Sequence, residues 1–297
     1  MNILLITYPL NGLLMIGLPI ALGIWLSQRF QLNWRLFWIG AATFILSQIG
    51  HIPFNSLLNY LFMNHYLPTP PEAWSVITYA LIGGLSAGAW EETSRYVMYR
   101  WWVKDARSWK EGVQLGVGHG GIEAIILGVM VLFTFVQLAV LRTVDISTLV
   151  SADQLELARQ QINSYWSAPW TLTLLGAVER AFTIPFHIAS SILVLQVFTR
   201  SQVRWFWFAL LYHTFVDAVI AGILRNQWMP YEWGPYAIEF MIGLSAVFSL
   251  WIIFTLKKRQ AVESTNVVSN LPDLPPPPEI KEIEITKENL ENTRYNG

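Results

Sequence analysis

Apolar residues run along this chain in long stretches, separated by short polar breaks, from Ile3 to Leu256. A membrane span needs roughly 20 such residues. Seven stretches qualify, near 3–26, 35–63, 74–99, 112–141, 170–199, 205–225 and 236–256. The pattern predicts an all-α, polytopic membrane protein of about seven transmembrane helices in residues 1–260, multi-pass in the cell membrane. The first stretch has no basic lead and predicts a retained helix rather than a cleaved signal. Pro53, beside Gly50 and His51, predicts a kink in the second. The connection 142–169 is polar and helix-prone from Asp153 to Asn163, which predicts a surface helix across one face. From residue 261 the pattern breaks: LPDLPPPP is followed by alternating Glu and Lys. That segment, 261–297, holds too little apolar surface to fold alone and predicts a disordered cytoplasmic tail.

Charge fixes the expected orientation. Arg29 and Arg35 flank the first loop, Arg100, Lys104, Arg107 and Lys110 fill the third, Arg200 and Arg204 mark the fifth, and Lys257, Lys258 and Arg259 follow the last span. The alternate loops hold Arg142, Arg159 and Arg225. Basic loops stay in the cytoplasm, so the N-terminus is predicted outside and the C-terminus inside. With 54% hydrophobic and 13% charged residues, a soluble domain is excluded. A net charge of −1 gives no reason to expect nucleic acid as a partner. The absence of cysteine rules out disulfides, thiolate metal sites and a cysteine nucleophile.

Polar residues inside the spans then carry the chemistry. A carboxylate in a bilayer costs a few kcal/mol unless it faces a partner or a water-filled cavity. The third span holds adjacent Glu91 and Glu92 with Arg95 one turn on. The fourth holds His119 and Glu123, the next Arg180 and His187, and the sixth His213 and Asp217. At a rise of roughly 1.5 Å per residue, all lie about 10–18 Å from the predicted cytoplasmic ends of their helices. Spacings of four and seven put each pair on one helix face. The expectation is a single shared site between the cytoplasmic surface and the midplane, with a short aqueous entry from the cytoplasm. Gly84 and Gly88, and Gly112, Gly116 and Gly120, have the small-xxx-small spacing of close helix packing and are expected to bring Glu91 and Glu92 toward His119. His51 is expected to satisfy the broken backbone of the kink, His65 to lie in an outer loop, Glu239 to be interfacial and Glu179 to neutralise Arg180.

Amide hydrolysis needs a general base, a group that polarises the carbonyl and a proton donor for the leaving nitrogen. Glutamates beside histidines can supply these, with or without a metal whose bound water is nucleophilic near neutral pH. A proton- or ion-coupled transporter would use the same residues as a relay, although no internal repeat is visible. Haem held between histidines of facing spans, and a scaffold without activity, are further readings.

In order, Glu91-Glu92-x-x-Arg95, His119 with Glu123, Arg180 through Pro185 to His187, and His213-x-x-x-Asp217 resemble the YhfC-type intramembrane metalloproteases, related to the PrsW-type and CAAX-protease/bacteriocin-processing proteins. The runs GLSAGAWEETSRYVMYR and GVGHGGIEAIILG carry the resemblance most closely. It implies a peptidase acting on a membrane-embedded or membrane-adjacent protein, with Glu91 or Glu92 as general base and the other carboxylate and Arg95 organising it. His119, His187 and His213 would bind a metal, zinc being the expected ion, or polarise the carbonyl, with Asp217 orienting His213. Glu123 stands where PrsW-type proteins carry a second-motif glutamate, but His119 replaces the aromatic residue four positions before it.

Overall fold

Each predicted span forms a helix in the computed structural model, which describes residues 3–269. The long helices are α1 (Leu4–Phe30), α2 (Arg35–Met63), α3 (Glu72–Val97), α4 (Trp109–Leu141), α6 (Leu175–Thr199), α7 (Arg204–Phe215) and α9 (Gly234–Ser269). Short α5 (Leu155–Ser167) and α8 (Arg225–Trp228) lie in connections. Among the described residues six helical segments are long and apolar enough to cross a membrane; α3, diluted by glycine, serine and tryptophan, is not one of them. The protein is an all-α, multi-pass membrane protein, with no strand among the described residues. Residues up to Lys257 form one packed body. The proline run and charged stretch of the expected tail lie outside the described residues.

Local chemistry explains the helix boundaries. Ser108 opens α4 with a reciprocal cap: its side chain accepts from the Glu111 backbone N–H, and its own backbone N–H donates to Glu111 Oε2 at 2.9 Å. The α1–α2 turn needs a left-handed residue, supplied by Gln31 at φ 54°. The polar connection contains the expected helix, α5, with no buried residue. Its end is tied down by Tyr8, whose hydroxyl donates to Tyr165 O at 2.9 Å while the two rings stack at 4.0 Å. Two helices end in wide π turns, Met98–Trp102 after α3 and Val216–Leu224 after α7.

Helix α4 is the centre of the bundle, packed on α1, α2 and α6. Its glycine stripe packs against α6, not against α3 as expected. A Cβ on Gly116 would meet Ile188 Cα at 2.6 Å, and one on Gly120 would meet the His187 ring at 2.7 Å. Gly84 and Gly88 of α3 likewise face Ala218 and Thr214, beyond α7 and within it. The α2–α4 crossing is set by Gly40 and Gly118: a Cβ on either would lie about 2 Å from a backbone oxygen of the other helix (Leu115 O, 2.1 Å; Phe37 O, 2.0 Å). The main apolar core, including Met98, Tyr99, Leu115, Val117, Ile192 and Leu195, sits at the end of the bundle nearest the basic loops. Outward-facing Leu13, Ile49, Phe133 and Val247 are exposed, as a lipid-facing surface requires.

Candidate active site

Glu91 sits at the centre of the polar cluster. Its Oε2 lies 3.0 Å from His119 Nε2, 3.3 Å from Arg95 Nη2, 3.8 Å from His213 Nε2 and 3.9 Å from His187 Nδ1. All four helices that were expected to contribute therefore converge on one oxygen. Glu92, fully buried, bonds Arg95 Nη1 and accepts from His213 Nδ1 at 2.7 Å. Arg95 Nη2 donates to His187 Nδ1 at 2.8 Å, and the opposite nitrogen of that ring meets Glu123 Oε2 at 2.8 Å. Arg180 bonds Glu123 and Glu179, and Glu179 accepts from Arg225 at 3.2 Å. Asp217 Oδ2 lies 3.4 Å from His213 Nε2, four residues on and inside the π segment. Such wide turns recur at functional sites.

Hydrogen-bond partners assign the imidazoles. A guanidinium can only donate, so His187 Nδ1 accepts from Arg95 and its Nε2–H donates to Glu123. Thr43, on α2, gives its hydroxyl proton to Gly40 O at 2.5 Å and so accepts from His119 Nδ1 at 2.8 Å. His119 Nε2 is then a bare lone pair facing a carboxylate oxygen at 3.0 Å. His213 donates through Nδ1 to Glu92, so in the neutral ring its Nε2 is bare as well. A proton or a cation must sit among these acceptors, because two lone pairs at that distance repel. The donor set fits a divalent metal once His187 gives up its bond from Arg95: Glu91, His119 and His187 offer ligand atoms all within 4.8 Å of one another, and His213 Nε2 faces the same carboxylate oxygen at 3.8 Å. Imidazole and carboxylate donors, each held by a further hydrogen bond, suit zinc.

Residues 14–238 match the family described as YhfC intramembrane metalloprotease. The chain belongs to the YhfC family. Every residue of the cluster falls within the matched segment. An "Uncharacterized membrane protein YhfC" of Bacillus subtilis (strain 168) is similar to it, 27% identical over 262 residues that cover 84% of this chain and 95% of that protein. No solved structure matches the chain. Membership of the YhfC family supports a metalloprotease-type function, and the buried Glu–His–His group is, among the described residues, a place where a metal could be held.

A cavity of about 420 Å³ borders the YhfC site. Glu91, Glu123, Arg180, His187, His213 and Asp217 line it; Glu92 and His119 do not. On α3 it reaches from Ala80 to Glu91, on α6 from Glu179 to His187, and from His213 in α7 to Gly222 in the π segment that follows. It therefore lies on the side of the connections 142–171 and 225–234. The expected aqueous entry from the side of the basic loops is not there, because the apolar core occupies that end.

Sequence reasoning gave α2 no part in the site. Thr43 holds His119, and Gln48 Nε2 lies 3.4 Å from Glu91 Oε1. His51, set aside as a kink residue, lines the cavity and bonds side chains rather than backbone: Asn55 Nδ2 at 2.7 Å, Ser86 Oγ at 3.0 Å and Gln48 Oε1 at 3.4 Å. Uncharged or singly placed polar residues in an apolar stretch carry little signal, since each can also satisfy a helix carbonyl. Glu239, expected at an interface, is buried, with its Oε2 lacking a hydrogen-bond partner among the described residues.

Proposed function

We propose that this protein hydrolyses a peptide bond of a membrane-embedded or membrane-adjacent protein, with Glu91 as the carboxylate that takes the proton from the attacking water. One observation carries the choice between the paired glutamates. Glu91 lines the cavity and faces all three histidines, whereas Glu92 stands behind it, fully buried. Glu92 then acts as an orienting residue, holding Arg95 and fixing His213 in the tautomer that leaves Nε2 available. Glu91 Oε2 is taken up by the histidines, and Oε1, which accepts only a long bond from Gln48 at 3.4 Å, is the oxygen that accepts the proton. Arg95 and Arg180 neutralise the carboxylates and keep His187 and Glu123 in place. Asp217, 3.4 Å from His213 Nε2, places a further carboxylate beside the reaction centre.

Glu91 and His119 would hold a metal, with His213 as the third donor, or His187 if its Nδ1 were released from Arg95, and zinc is the ion proposed. When bound, it would polarise the scissile carbonyl and acidify water near neutral pH. α3 is taken as a seventh span whose polar end is tolerated because it faces the cavity rather than lipid.

The test is a comparison of protein termini in membranes carrying the wild type or Glu91→Gln. Termini that appear only with the wild type support the reading. Identical sets, with both proteins present at equal level in native hosts that hold the substrate, overturn it.

A further inference from the structure

We infer that the cavity is entered from the face opposite the basic loops, and that the bond cut belongs to an extracytoplasmic segment of the substrate. The second half rests on the peptidase reading; the first does not. Three observations point the same way.

The carboxylates form a gradient of exposure. Side-chain exposure is 0% for Glu92, 8% for Glu91, 21% for Glu123 and 33% for Asp217. It is lowest at the two α3 glutamates and higher at the other carboxylates that line the cavity, Glu179 included at 22%, with Arg225 at 45% beside the connection 225–234. Ionised groups within a membrane are tolerated where water reaches them, so this gradient marks the direction from which water enters.

The opposite end is sealed. Met98, Tyr99, Leu115, Val117, Ile192 and Leu195 are each at most 1% exposed. The Tyr99 hydroxyl is taken up by Ser191 Oγ at 2.8 Å. This seal separates Glu91 from Arg100, Lys104, Arg107 and Lys110, the loop that the charge bias assigns to the cytoplasm.

Polarity also continues outward beyond the site. Glu179 lines both the main cavity and a smaller one of about 230 Å³, which it shares with Glu239 and Arg225. The smaller cavity lies on the same side, at the start of α9. A peptide that reaches Glu91 along this route passes carboxylates and arginines before it meets the histidines. A peptide from the basic-loop side would have to open the apolar core.

The chain has no cysteine, so single cysteines in the full-length protein report access directly. Ala87→Cys lies one turn before Glu91 on the cavity wall, and Ala221→Cys lies near its mouth. Thr143→Cys and Lys104→Cys mark the two faces, and Ser191→Cys marks the seal. The probe is a charged, membrane-impermeant methanethiosulfonate applied to right-side-out and inverted vesicles. Ala87→Cys, Ala221→Cys and Thr143→Cys should react in right-side-out vesicles, Lys104→Cys in inverted ones, and Ser191→Cys in neither. Reaction of Ala87→Cys only in inverted vesicles, or of Thr143→Cys only there, would overturn the inference. So would a failure of Ala87→Cys and Ala221→Cys to react from either side. Labelling needs no turnover, so the expected labelling with no difference in termini would remove the peptidase and keep the opening. Termini that depend on Glu91 and map to cytoplasmic segments would overturn the substrate side alone.

Discussion

Thr43 and His119 share a 2.8 Å hydrogen bond between α2 and α4, and it decides which imidazole nitrogen faces Glu91. With the threonine proton committed to Gly40 O, His119 must donate from Nδ1. A neutral residue with no part in the chemistry thereby sets the donor presented to the reaction centre.

Thr43→Val keeps the shape and removes the acceptor. Metal affinity and cleavage should fall about 10–100-fold, the usual effect of losing a partner behind a ligating histidine. Thr43→Ser should restore most of both. Zinc titration of purified protein, together with the termini comparison, would show it; an unchanged Thr43→Val would mean that His119 is oriented by something else.

The paired glutamates should separate in their effects. Glu91→Gln should lower turnover by about 10²–10⁴-fold, the range for a general base, with little loss of folded protein. Glu92→Gln leaves Arg95 buried with a weakened partner and should cost roughly 3–5 kcal/mol of stability. Thermal unfolding in detergent distinguishes them. Equal melting losses in the two variants would contradict the division of roles.

Metal content tests the donor set without a substrate. Chelator-free wild type should hold about one zinc per chain, the count for a single three-donor site. The His119→Ala/His213→Ala double variant should hold none. No metal in either, from folded protein, would leave a glutamate–histidine hydrolase or a proton relay.

Two glycines should respond in opposite ways. Gly118→Ala places a Cβ 2.0 Å from Phe37 O, a backbone atom that cannot step aside, and should destabilise the protein by about 1–3 kcal/mol. A Cβ on Gly17 meets nothing within 4 Å, so Gly17→Ala should be neutral or raise stability by up to about 1 kcal/mol through helix propensity. Melting temperatures of the two variants would decide it.

The polar layer was legible because charge inside an apolar run is costly enough to be informative by itself. Glu91, His119, His187 and His213 could be assigned to one depth by counting residues along helices of alternating direction, and they meet there. Counting along an axis does not say which way the layer opens, so the aqueous entry was expected on the side of the basic loops, where the apolar core sits. Nor does spacing say which neighbour a glycine stripe will face: Gly116 and Gly120 serve α6, and the contact between α2 and α4 rests on Gly40 and Gly118, which stood out from no pattern. Thr43 and Gln48 were invisible for a simpler reason, since neither is charged. The segment 261–297 remains an expectation from composition, and the orientation one from charge.

The π segment Val216–Leu224 gives one part of the site a dependence on residue number instead of residue type. Its i→i+5 hydrogen bonding sets the phase in which Asp217, Ile220, Ala221 and Gly222 come round to the cavity. Removing a single residue from it would return the helix to ordinary pitch and rotate everything downstream of His213, with every side chain of the cluster still present. Two relatives could then share all the polar residues named here and still differ in what they admit, through a length change that a comparison of motif residues alone would pass over.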